Sequence, residues 1–90
     1  MKLPSESSIQ IVVLDRGFVF VGKTTRTDEF MYIDNAFNIR KWGTTDGLGQ
    51  LRNGPTKETV LDDSGTIRAP MRAVIFTIDC DDSKWTPLLN

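Results

Sequence analysis

The sequence predicts a mainly β domain, a small and strongly bent antiparallel β-barrel with one long glycine- and threonine-rich loop. Three observations lead there. Short runs of β-branched and aromatic residues recur between turn residues: IQIVVL at 9–14, FVFVGKTT at 18–25, FMYID at 30–34 and AVIFTID at 73–79. No stretch sustains a helical period of apolar residues. Ile9 to Leu14 and Ala73 to Ile78 are apolar on both faces, whereas an open sheet normally keeps one face wet. Closure into a barrel under the long loop and the tail, or burial against another subunit, is therefore expected.

The elements follow in chain order. Ile9 to Leu14 is the first strand, stopped by Asp15-Arg16-Gly17, whose glycine can take a positive φ. Phe18 to Thr25 returns as a hairpin partner, and Gly22 inside it suggests a bulge that curls the sheet. After a polar turn at Arg26 to Glu29, Phe30 to Asp34 forms the third strand. Phe37 to Trp42 is a fourth, or a bent continuation of the third. A loop is expected over 43–65, with a short helix at Asp46 to Asn53, capped by Thr45 or Asp46 and stopped by Asn53-Gly54-Pro55. Asp62-Asp63-Ser64-Gly65 reads as a turn. Thr66 to Val74 leads into Ala73 to Asp79, with Pro70 marking an edge or a strand junction. The tail, 80–90, is expected to fold Trp85, Leu88 and Leu89 back over the barrel, and 1–8 to be flexible.

A chain of 90 residues is a single domain, and one this size buries only about 60 to 65% of the surface its unfolded chain exposes. Stability is then marginal or shared with partner subunits, so a homo-oligomer is expected. Cys80 is the only cysteine and there is no histidine. This removes an internal disulfide, Ser-His and Cys-His nucleophiles and the usual zinc sites, and makes a reducing cytoplasm the default. The chain has no apolar run near the roughly 18 to 20 residues of a membrane span, so no membrane partner is expected. Eleven basic and twelve acidic residues give a net charge of -1, which argues against a surface built wholly for nucleic acid. A basic block (Arg40, Lys41, Arg52, Lys57) precedes an acidic one (Glu58, Asp62, Asp63).

The bent unit opening at Ile11 to Gly22, the variable loop, and Gly65-Thr66-Ile67-Arg68 before Val74 to Ile78 resemble an Sm-like or SH3-like barrel. Asp15 to Gly17 and Ile67-Arg68 fall at that family's turn and Ile-Arg-Gly positions. Ala69 stands in place of the glycine and Met31-Tyr32 in place of a Met-Asn base-contacting pair, so the resemblance implies the fold rather than RNA binding. The strings DRGFVFVG, RKWGTTDGLGQL and NGPTKETVLDDSGTIRAP are similar to a family of small proteins of tailed bacteriophages and prophages. That resemblance implies a phage origin and a place in the host bacterial cytoplasm, and carries no established catalytic residues.

The candidate site is the stretch RKWGTTDGLGQLR, 40–52. Backbone N–H groups of a glycine-rich turn can converge into a nest for an anion, and neighbouring guanidinium groups strengthen it. Gly43, Thr44, Thr45, Gly47 and Gly49, flanked by Arg40, Lys41 and Arg52, supply these parts, although no Gly-Lys-Ser/Thr makes it a P-loop. Trp42 or Tyr32 could stack a base. The opposing reading is that the glycines only turn a long connection while Trp42 and Leu48 pin it to the core. Converging carboxylates for a metal are not evident in Asp62-Asp63 with Glu58 or in Asp79, Asp81 and Asp82, and Cys80 has acidic neighbours that disfavour its thiolate. The expectation is a non-catalytic protein without cofactor that binds an anionic, nucleotide-like small molecule, in a pocket completed by a second copy. Two alternatives remain: an Sm-like or OB-like module for nucleic acid or a host protein, and a structural virion component.

Overall fold

The computed structural model describes residues 8–89, so the segment 1–8 expected to be flexible lies outside the described residues except for Ser8. The fold is mainly β. Strands β1 (Ile9–Leu14), β2 (Val19–Arg26), β3 (Phe30–Lys41), β4 (Val60–Pro70) and β5 (Val74–Asp79) form one antiparallel sheet in the order β4-β3-β2-β1-β5. The tail turns through a short helix, α1 (Asp82–Trp85), into a 3-10 turn. Among the described residues no helix is long and apolar enough to cross a membrane.

Alternation in β1 sends its residues to two cores. Ile9 and Ile11 join Val19, Val21, Ile39, Leu48, Leu51, Trp85 and Leu89, while Val12 and Leu14 join Met31, Ile33, Ala36 and Ala69. Val12 on β1 and Ala69 on β4 belong to strands separated by β2 and β3, so they share a core only because the sheet curls strongly. The curl is built from register shifts between Val21 and Lys23 and at three places along β3. Gly22 sits at the first of these. A Cβ there would lie 2.6 Å from the Ile33 Cγ2 and 2.8 Å from the Asp34 carbonyl oxygen, so only glycine lets β2 press onto β3. At the β1–β2 turn Arg16 (φ 63°) and Gly17 (φ 83°) both take the left-handed region.

Several boundaries differ from the sequence expectation. The fourth run proves to be the bent continuation of β3. The long loop ends at Val60 rather than at 65, because Asp62 to Gly65 pair along β3 (Asn38 with Asp62, Ala36 with Gly65) and belong to a bulged strand. The loop helix is a 3-10 helix, Leu48–Asn53, preceded by Gly47 with no side-chain cap, so neither Thr45 nor Asp46 caps it. In the tail Trp85 (0% exposed) and Leu89 (1%) lie over the first core as expected, but Leu88 is 43% exposed. In β5, Ile75 (60%) and Phe76 (49%) face solvent, so of the two covers expected for this strand the chain's own does not reach them. No β4–β5 ladder closes the ring among the described residues: β4 and β5 are the two edges, joined by a 3-10 corner, Met71–Ala73.

Replacing Gly22 by alanine should overpack this crossing and cost about 1 to 3 kcal/mol. Urea unfolding should give a lower midpoint at an unchanged slope.

Candidate functional site

The loop leaves β3 after Lys41 and is stapled from the far side. The Thr59 hydroxyl donates to the Trp42 carbonyl oxygen (2.7 Å) and the Thr56 hydroxyl to that of Gly43 (2.6 Å). Gly43 has φ +66°, and a Cβ on it would meet the Glu58 backbone at 2.4 Å. Glycine is required here for close passage of two chain segments, the structural role weighed against a ligand role in the sequence.

Beyond it, the Thr45 and Asp46 N–H groups converge on one acceptor. Both donate to the Gln50 Oε1, at 3.0 and 2.9 Å, and the Thr45 hydroxyl lies 3.4 Å from the same oxygen. The turn before the 3-10 helix is thus an oxygen-binding nest, filled by a side chain four to five residues ahead. Leu48 and Leu51 anchor the helix in the first core. The Trp85 Nε1–H donates to the Leu51 carbonyl oxygen (2.9 Å), and the Asp81 N–H to that of Arg52 (2.8 Å). Loop and tail therefore form one cover over the sheet.

Arg40 and Arg52 bond to groups other than the nest. Arg40 turns to β4 and forms a forked ion pair with Asp62, Nε to Oδ2 at 2.9 Å and Nη2 to Oδ1 at 3.2 Å. With both side chains well exposed it adds roughly 0 to 1 kcal/mol. Arg52 folds back to its own loop, Nη1 donating to the Gly49 carbonyl oxygen (3.1 Å). Lys41 forms no ion pair among the described residues, since Arg40–Asp62 is the only one there. Trp42 is 44% exposed, so it does not pin the loop to the core, and Leu48 alone of that pair does.

Within one chain Tyr32 lies away from the loop. It lies on the same strand as Arg40 but eight positions earlier, roughly 25 Å along an extended chain. There it pairs in register with Arg68 and packs against Phe30 (ring centroids 6.2 Å apart), while the Arg68 guanidinium sits 5.4 Å above the Phe30 ring. Next to it is a cavity of about 440 Å³ lined by Asp28, Glu29, Phe30, Pro70, Met71 and Arg72. No sequence pattern marked it, because its walls come from two turns 42 residues apart that the Met71 N–H to Glu29 carbonyl bond (2.8 Å) holds together. Another of about 70 Å³ lies between Asn35, Phe37, Asp63, Leu88 and Leu89, and neither is lined by the loop.

The acidic residues are spent on turns and pairs. Asp63 accepts from the Gly65 N–H, and Asp81 caps α1 by accepting from the N–H and hydroxyl of Ser83, which hold its carboxyl below the usual range. Among the described residues no three His, Cys, Asp or Glu side chains stand close enough to hold a metal. Cys80 is buried, and that burial pushes its thiol from an ordinary 9.0 up to about 12, with Asp79 and Asp82 adding to the rise. No family model matches the chain, and a search of curated proteins returns none similar to it.

Because the folded Cys80 keeps its proton while the unfolded thiol loses it above pH 9.0, its contribution to stability is complete below that pH and fades as pH rises toward 12. Stability measured from pH 8 to 11 should fall more steeply in the parent protein than in Cys80→Ala. The native thiol should resist alkylation at pH 8 until denaturant is added.

Proposed function

We propose that this chain is a phage-encoded, non-catalytic binding protein that sequesters a phosphate-bearing small molecule, a nucleotide signal of bacterial immunity, and so counters anti-phage defence in the host cytoplasm. One observation carries the reading: two backbone N–H groups and a hydroxyl, from Thr45 and Asp46, already converge on a single oxygen. A phosphate oxygen is a stronger acceptor than the Gln50 amide oxygen, and can take its place when that side chain swings out. Lys41 is free of ion pairs among the described residues and supplies charge. Arg52 can exchange a single bond to a carbonyl for a phosphate, and the half-exposed Trp42 indole offers a stacking face. Arg40, committed to Asp62, is left out of the site. Sequestration asks for affinity and no bond-making, which suits a loop of amides and cations.

A second reading, an Sm-like or OB-like module for nucleic acid, is favoured by a different observation: Phe30, Tyr32 and Arg68 form an aromatic and guanidinium platform on one sheet face. The two readings separate in one experiment. Protein purified from infected or prophage-bearing cells is heat-precipitated and the supernatant examined by mass spectrometry. Under the first reading a nucleotide is retained; Lys41→Ala and Trp42→Ala lose it, Trp42→Ala at a cost of about 1 to 3 kcal/mol in affinity. Stability should change by no more than about 0.5 kcal/mol, as for other surface positions. An empty supernatant, with salt-sensitive binding of single-stranded oligonucleotides that Tyr32→Ala abolishes, overturns it in favour of the second.

A further inference from the structure

We infer that strand β5 is a docking edge for a second copy of this chain, which pairs with it antiparallel about a twofold axis to give one continuous ten-stranded sheet. The inference goes beyond the anion-binding loop and does not depend on it.

The sheet has two edges, and they differ in kind. β4 is interrupted by register shifts, carries Gly65 at φ +68° and ends on Pro70, which has no N–H to offer: the usual ways of blunting an edge. β5 has no proline or lysine, and Val74 to Ile78 are uncharged. The Cys80 N–H points to β1, where it bonds to the Ile9 carbonyl oxygen. By alternation Thr77 and Asp79 turn their N–H and C=O groups away from β1, along the open edge. The largest exposed apolar side chains of the sheet cluster at the start of this strand. Ile75, the extra residue where β5 slips between Val13 and Leu14, is 60% exposed, and Phe76 is 49% exposed. A 90-residue domain gains nothing by leaving two such side chains in water.

Charge selects both the partner and its direction. The entry to β5 is basic, with Arg72, and the exit is acidic, with Asp79, Asp81 and Asp82. Arg72 has no ion pair among the described residues. Antiparallel self-pairing brings each copy's Arg72 to the other's acidic end, twice by symmetry, and leaves the apolar middle facing itself. A parallel arrangement would oppose like charges at both ends. Six residues of edge are short against the roughly 800 Å² per partner of a standard interface, so the dimer should be concentration-dependent rather than permanent.

The experiment is sedimentation of the full chain over a hundredfold concentration range, with amide exchange read at the two edges. The mass should rise from 10.1 kDa toward about twice that value as expected for a closed twofold pair. Thr77 and Asp79 amides should gain protection with concentration while those of β4 do not. Ile75→Lys, at a mostly exposed position, should leave only the 10.1 kDa species with an unchanged melting curve. Arg72→Glu should weaken association at least tenfold. A chain that stays monomeric throughout overturns the inference. So does a dimer that survives Ile75→Lys, protection at β4 instead of β5, or growth into larger rings. The exchange measurement on the parent protein decides even if a variant fails to fold.

Discussion

The first strand has no wet side, and the rest of the molecule follows from that constraint. Ile9 and Ile11 on one face and Val12 on the other are all but fully buried. Each face must therefore find a separate cover. One is provided by the sheet itself, which curls until Met31, Ile33 and Ala69 close over Val12. The other is provided by chain that is not strand at all: the loop helix with Leu48 and Leu51, and the tail with Trp85 and Leu89. A buried bond from the Trp85 indole to the Leu51 carbonyl ties the loop helix to the tail and satisfies polar groups that burial would otherwise leave at a cost of about 1 to 3 kcal/mol.

This constraint shapes the candidate site. A loop that must lie on the core cannot be a free arm, so its glycines and threonines are partly spent on routing: Gly43 passes under Glu58, and Thr56 and Thr59 hold Trp42 and Gly43 from the other side. Between these fixed points the nest of Thr45 and Asp46 is held open by geometry and filled by Gln50. On the proposed reading a guest oxygen would have to displace this intramolecular one, so a neutral carbonyl guest would gain little.

The same economy governs charge. The basic and acidic blocks that succeed each other along the chain are brought side by side by the β3–β4 ladder, and Arg40 and Asp62 meet across it. Of the electropositive loop and the electronegative one, a single pair is neutralised across the ladder, and Lys41, Arg52 and Lys57 on one side and Glu58 and Asp63 on the other stay outside the ion pairing of the described residues.

Local chemistry determined much of this fold without help. The β-branched runs, the Asp15-Arg16-Gly17 turn and the bulge at Gly22 were legible because each depends on residues within a few positions: side-chain branching, left-handed φ, and the lack of a Cβ. The loop was legible as a distinct element, as was the tail with Trp85 and Leu89 over the core. Tertiary structure alone decided the rest. Asp62 to Gly65 look like a turn and become strand because β3 is long enough to pair with them. Arg40 looks like a ligand group and is taken by a carboxylate 22 residues away. Tyr32 and Arg40 share a strand yet belong to different ends of it, and Ile75 and Phe76 look like core but lie on an edge. In each case the deciding partner is remote in sequence, and only packing determines which distant groups meet.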